Sequence, residues 1–422
     1  MIRRVTIATG ELARYVDGDR LWDRLIALAR FGALENGGVN RQALSDEEIP
    51  ARAQLVQWGQ AIGVEPSNDA AGNLFLRLPG TEPDLPPVLV GSHIDSQPTG
   101  GKFDGSYGVL AALESVEAIV AAGVRPRRSI DVVSWMNEEG SRFAPGMMGS
   151  AVFSGARKLK DILGVRDKSG ITVEAALQKV LAAETSLPRR PLGMKTAAFL
   201  EAHIEQGIVL EQENKSIGIV SGIQGKRTFR VEVHGEESHA GTSPRSIRRD
   251  AFVAALNIVQ ALQNAMWDEA DVVRFTIGMF TVSPNAPSVV PARVTFSIDL
   301  RHPDARTLAD LGDAIVDICH VNRGPCEVSV KELLHDPPLE FPATMRATIR
   351  SVAVALGVPW SDMPSLAGHD AKHLHYICPT GMIFIPCKDG ISHNEAESIR
   401  REDARDGARV LAGAVFTLAN SS

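Results

Sequence analysis

The chain has 422 residues and a net charge of −7, with 44% apolar and 23% charged residues, the make-up of a folded soluble protein of two or three domains. Acids and bases are interspersed without a basic stripe, which argues against a nucleic-acid partner. The most apolar helical stretch, Val109 to Val124, is broken by Glu114 and Glu117, so no window spans a membrane.

The opening MIRRVTIATGELARYVDGDR carries two early arginines but no apolar run and no small-residue cleavage site. It reads as the start of a mature, cytoplasmic protein. Residues 20–64 read as helical, with Leu21, Leu25, Ile26, Leu28 and Ala29 on one stripe and a second helix over Ala51 to Ile62. Two short apolar runs follow, 87–90 and 130–135, with the helical stretch 109–122 between them. Strand, helix, strand in that order predicts an α/β fold: a mixed, mainly parallel sheet covered by helices. The middle of the chain changes character. Residues 227–234 and 294–301 alternate in polarity, and a helix fits from about Arg248 to Gln263. That pattern predicts a smaller α+β domain over 217–333, inserted into a larger one made of 1–216 and 334–422. In the last segment, 342–356 reads as a helix and 381–385 as a buried strand. Cys319, Cys326, Cys378 and Cys387 form no C-x-x-C and are expected to be reduced and buried.

Four features carry candidate chemistry. Gly91-Ser-His93-Ile-Asp95 follows directly on an apolar strand, where ligands of open α/β sheets gather. Asp95 is close enough in sequence to hydrogen-bond the His93 imidazole and fix its tautomer. Next, Asp104 lies between glycines that let a short carboxylate enter a crowded place. Third, Glu138 and Glu139 end a second apolar strand, and adjacent glutamates point to different sides: one can bind metal while the other reaches a water. Most Glu-Glu pairs are solvated turns, so position after a buried strand is what distinguishes this one. The fourth feature is two distant histidines, His203 in EAHIEQG and His393 in GISHN. Together these residues offer three imidazoles and two carboxylates, with Asp104 suited to bridge two divalent ions about 3.5–4 Å apart. Zinc, manganese, cobalt or nickel would each accept such ligands.

The segments GSHIDSQPTGGKFDG, NEEGSRF, HIEQG, SHAGTSPRSIRRDA, AGHDA and GISHNEAE resemble the amidase branch of the M20 metallopeptidase-like amidohydrolases. That branch contains N-carbamoyl-L-amino acid hydrolases, β-ureidopropionases and allantoate amidohydrolases. The resemblance runs from about residue 30 to the C-terminus with the motifs in family order. It implies one metal on His93, Asp104 and His203, and a second on Asp104, Glu139 and His393. Glu138 is implied as general base, with Asp95 orienting His93. The resemblance further implies a homodimer in which the inserted domain is a lid, His239 polarises the scissile carbonyl from the partner subunit, and Arg301 binds a substrate carboxylate. Without the resemblance, Arg301 reads as a surface ion pair and His239 as a turn histidine. Two departures bear on substrate: Ser288 stands before Val-Val-Pro where many relatives have asparagine, and Lys226 where a glutamine is common, with Gln224 nearby. Together with Gln206 of HIEQG, these are the expected substrate-contacting positions. A non-catalytic binding protein on the same scaffold, and a peptidase or aminoacylase with the same metal ligands, are the rival readings.

Overall fold

The computed structural model describes residues 9–421, so Arg3 and Arg4 of the opening segment lie outside the described residues. The chain divides into two compact units, one ending at Ser221 and resuming at Phe341, the other Gly222–Glu340. The insertion expected at 217–333 overlaps the second of these units. Glu327–Asp336 is one ten-residue strand of that unit, pairing along Gly225–His234.

In the first unit, Val88–His93 pairs in parallel with Ile130–Trp135 and with Ala198–Ile204, which in turn pairs in parallel with Thr380–Ile385. The sheet is parallel at its centre and antiparallel on its flanks. Leu74–Leu78 runs antiparallel to Ile130–Trp135, and Ile217–Ile223 antiparallel to Thr380–Ile385. Every residue of the four central strands is buried, which is why they read as continuous apolar runs and not as alternating ones. Helices Ser106–Ala121, Arg401–Asn420 and Gly18–Leu28 pack together in the core beside them. Glu114, which interrupts the apolar stretch, is buried and held by Arg20 through two hydrogen bonds of 2.6 and 2.9 Å. A buried charge is tolerable only when so paired.

The helical reading of 20–64 resolves into Gly18–Leu28 and Glu48–Ala61. Between them the chain is pinned by Arg41, a buried guanidinium that donates to the carbonyls of Leu28, Phe31 and Ile94 and to Ser106 Oγ. Asp17 caps the first helix by accepting from Asp19 and Arg20 N–H groups.

The second unit is an antiparallel sheet in the order Arg274–Thr276, Arg293–His302, Gly225–His234, Glu327–Asp336. Gly225–His234 and Arg293–His302 alternate between buried and partly exposed positions. Phe229, Val231, Val233, Phe296, Ile298 and Leu300 meet Ala251–Ala265 and Ala305–Asn322 in one core. The first of those helices starts at Ala251 and not at Arg248, because Asp250 is its cap and accepts from Phe252 and Val253 N–H groups. All four cysteines are unpaired and buried, and burial pushes the Cys319 and Cys387 thiols up to about 12. Among the described residues no helix is long and apolar enough to cross a membrane.

Candidate metal centre

Three carboxyl ends of the central sheet converge on Asp104. His93 is the last residue of its strand, Glu138 and Glu139 follow the end of the next, and His203 is next to last in Ala198–Ile204. Asp104 reaches them because Gly105 adopts φ +61, where a side chain would collide with the His93 ring. The two oxygens of Asp104 face different partners. Oδ1 lies 3.1 Å from His203 Nε2 and 3.8 Å from His93 Nε2, whereas Oδ2 lies 3.2 Å from His393 Nε2. His393 Nε2 is also 3.3 Å from Glu139 Oε2. Two clusters therefore share one carboxylate: His93, Asp104 and His203, all buried, and Asp104, Glu139 and the half-exposed His393. Within each, one atom per residue lies within 4.8 Å of the others.

Both buried histidines present Nε2 to the cluster. The Nδ1–H of His93 donates to the Asp95 carbonyl at 2.9 Å, and that of His203 to the Ile204 carbonyl at 2.9 Å. A carbonyl only accepts, so Nδ1 carries the proton and Nε2 keeps its lone pair when neutral. The Asp95 carboxylate lies beside the same ring, Oδ1 3.5 Å from His93 Nδ1, and accepts the backbone N–H groups of Glu138 and Glu139, each at 3.2 Å. Asp95 thus ties the histidine loop to the glutamate turn. Asn137, at φ +54, holds that turn by donating to the Phe143 carbonyl.

The electrostatics call for positive charge. Burial pushes the Glu139 carboxyl up to about 7, with Asp104 adding to the effect, and burial raises Glu138 well above the usual carboxylate range. Burial acts against ionisation of Asp104 as well, yet hydrogen bonds from His203 and His393 hold it well below that range. His393 is raised to about 9 by its hydrogen bond to Asp104. For His93, burial is outweighed by Glu138, Asp95 and Asp104, which raise it. Asp104, Glu138 and Glu139 thus crowd three carboxyl groups into one buried space beside three imidazoles. The donor set, imidazole nitrogens and carboxylate oxygens around a shared aspartate, fits divalent ions and satisfies the same charge.

Several residues that sequence reasoning passed over complete the arrangement. Glu397 accepts the backbone N–H groups of Phe103 and Asp104 at 2.8 and 3.1 Å, and the single hydroxyl proton of Ser392 is shared between Glu397 Oε2 at 3.0 Å and Asp104 Oδ2 at 3.1 Å. Gln97 donates to Glu139 Oε2 at 2.7 Å. His369 and Asp370, from AGHDA, are buried. The His369 ring packs edge-on against His203, and Asp370 accepts from Ser150. Only the motif likeness pointed towards these last two. Gln206, expected at the substrate, lies against Asp104 Oδ2, to which its side-chain amide donates at 3.0 Å.

The remaining predicted positions fall in the Gly222–Glu340 unit and form two groups there. His239 and Ser288 meet where Ser238–His239 pairs with Val289–Val290, with Ala240 N–H donating to the Ser288 carbonyl. Lys226 and Arg301 are cross-strand neighbours, and both bind Asp299, at 2.8 Å through Lys226 Nζ and 2.9 Å through Arg301 Nε.

Residues 89–417 match the family described as Peptidase family M20/M25/M40. The chain belongs to that family. An N-carbamoyl-L-amino-acid amidohydrolase from Rhizobium meliloti is 38% identical over 418 residues, covering 98% of this chain and 99% of the relative. An allantoate amidohydrolase from Bacillus subtilis strain 168 is 33% identical over 396 residues, covering 93% of this chain and 95% of the relative. Among solved structures, a hydantoinase/carbamoylase family amidase from Burkholderia multivorans superposes with a TM-score of 0.89 at 40% identity, over 96% of this chain and 98% of that one. Within the M20 family the chain is therefore a hydrolase of linear amides, and its mixed sheet is the one these neighbours share.

Proposed function

We propose that the chain hydrolyses the ureido C–N bond of N-carbamoyl-L-amino acids, releasing the L-amino acid, carbon dioxide and ammonia. Two divalent ions would be held there, one by His93, Asp104 and His203 and the other by Asp104, Glu139 and His393. The observation that carries this reading is the split of the Asp104 carboxylate, one oxygen towards each histidine group. When bound, such ions supply Lewis-acid polarisation and an acidified water at neutral pH. The choice of N-carbamoyl-L-amino acids within the family is supported by the 38% identity to the Rhizobium meliloti amidohydrolase. The likeness to an allantoate amidohydrolase makes allantoate the second substrate to test.

The chain's own residues then have separable tasks. Glu138 Oε2, 3.6 Å from His93 Nε2, is placed to take a proton from the attacking water and return it to the leaving amine. Asp95 keeps Glu138 at that place through the turn it tethers. Gln206 and Ser392, both donating to Asp104 Oδ2, fix the plane of the shared carboxylate. As the family resemblance implies, His239 of the partner subunit is assigned to the carbonyl oxygen as it becomes anionic. Arg301 is assigned to the substrate carboxylate, a match for its planar fork. Asp299 holds that guanidinium flat through Nε and Nη2. Ser288 and Lys226 are the positions that set substrate choice. A cytoplasmic homodimer is part of the same proposal.

The test is a screen for ammonia release from N-carbamoyl-L-amino acids, N-carbamoyl-β-alanine and allantoate, with Zn²⁺ or Mn²⁺ supplied and N-acyl amino acids and dipeptides alongside. Ammonia from the first group supports the assignment. Amine release from acyl or peptide substrates, with none from ureido compounds, overturns it.

A further inference from the structure

Arg248 is the arginine of SHAGTSPRSIRRDA whose guanidinium turns back onto the loop that carries His239. Its Nη2 donates to the Ala240 carbonyl at 2.6 Å and its Nε to the Ser243 carbonyl at 2.9 Å. No carboxylate pairs with it among the described residues, so both directed contacts go to one loop. On the far side of that loop, His239 Nδ1 accepts the backbone N–H groups of Gly241 at 3.0 Å and Thr242 at 3.2 Å. The Ala240 carbonyl and the Gly241 N–H belong to one planar peptide and point in opposite directions. Pulling the carbonyl towards Arg248 therefore aims the N–H at His239.

Two donors on Nδ1 leave no room for a proton there, so the neutral ring carries its hydrogen on Nε2. The ring lies close against Gly241, where an added Cβ would come within 3.3 Å of its Cε1. Ser243 N–H donates to the His239 carbonyl, and Ala240 N–H to the Ser288 carbonyl, which closes the loop onto its neighbouring strand.

We infer that Arg248 is a positioning residue: acting through the Ala240–Gly241 peptide, it holds His239 as an Nε2–H donor aimed outward. This rests on the role given to His239 above. Arg248 itself touches no substrate in this account. Its charge strengthens the contact to the carbonyl and, by polarising the peptide, the contact from Gly241 N–H to the ring.

The experiment is a double-mutant cycle of Arg248→Ala and His239→Ala on the metal-loaded enzyme, with kcat and KM measured on an N-carbamoyl-L-amino acid. Removing an oxyanion donor outright costs about 10²–10³ in rate. Misaiming one should lower kcat by roughly 10- to 100-fold while KM moves little. In the His239→Ala background, Arg248→Ala should change nothing further. Arg248→Lys, which keeps one charged donor, should recover part of kcat. Thermal unfolding and metal content of each variant establish that it is folded and loaded. If Arg248→Ala does not fold, Arg248→Gln replaces it in the same cycle. A loss in the His239→Ala background equal to that in wild type overturns the inference and leaves the role of His239 intact. Unchanged kcat in His239→Ala overturns both.

Discussion

Gly105→Ala tests the metal centre without removing any of its ligands. A methyl group at residue 105 would lie 2.3 Å from His93 Nε2 and 2.4 and 2.5 Å from Cε1 and Cδ2 of the same ring. Ordinary carbon contacts sit at about 3.5–4.0 Å, so the ring must retreat by about 1 Å or more. It has no slack for this: Nδ1 is tied to the Asp95 carbonyl at 2.9 Å, and His93 ends a strand buried along its length. Metal ligands hold their distances to within about 0.2 Å, so such a displacement removes His93 from the set. The alanine must also adopt φ +61, a strain on the order of 1–3 kcal/mol. Against a stability of about 5–15 kcal/mol the fold survives. The expected result is a folded protein that has lost about one equivalent of metal by elemental analysis after dialysis. Its turnover should fall by roughly 10²-fold or more. A Gly105→Ala protein with full metal content and normal kcat would refute the reasoning, because the steric argument leaves His93 nowhere else to go.

Glu138→Gln should keep its metal and lose about 10²–10⁴ of kcat, since the amide cannot carry the proton; near-normal turnover removes Glu138 as the base. Arg301→Ala should raise KM for carboxylate-bearing substrates far more than it lowers kcat, and a pure kcat effect would count against it as the carboxylate ligand. Glu48 makes a prediction about stability. Burial pushes its carboxyl up to about 7 from 4.5, Arg52 opposing, so the folded state binds this proton more tightly than the unfolded one. The resulting stability is whole below pH 4.5 and is lost as pH rises to about 7. Glu48→Gln should match wild type at pH 4 and exceed it at pH 8 by on the order of 3 kcal/mol in urea unfolding. A difference independent of pH would contradict the shift.

Much of the candidate centre was legible because chemistry and topology coincide. His93 ends, and the Glu138–Glu139 pair follows, a strand whose residues are all buried, and continuous apolar runs are visible in a sequence. Asp104 was marked by its glycines, one of which the structure needs at φ +61. The strands 227–234 and 294–301 of the second unit were legible from alternation, since one face of that sheet packs on helices. Glu397 was not legible. It acts on Phe103 and Asp104 through their backbone N–H groups, 294 and 293 residues away in the sequence, and no period or spacing records that contact. His369 and Asp370 sit in a loop without amphipathic pattern, and their burial comes from tertiary packing alone. For Asp95, H-x-D does not say whether carbonyl or carboxylate meets the ring; the carbonyl is the nearer, at 2.9 Å against 3.5 Å. The strand 327–336 is mostly exposed and pairs through its backbone, so it left little apolar signal in the sequence.

The central claim is that one aspartate joins two cation sites. Anomalous diffraction from crystals grown with Zn²⁺ or Mn²⁺ addresses it directly. The account predicts two separate peaks, one bounded by His93, Asp104 and His203 and the other by Asp104, Glu139 and His393. A single peak at full metal loading, or peaks away from Asp104, would contradict it.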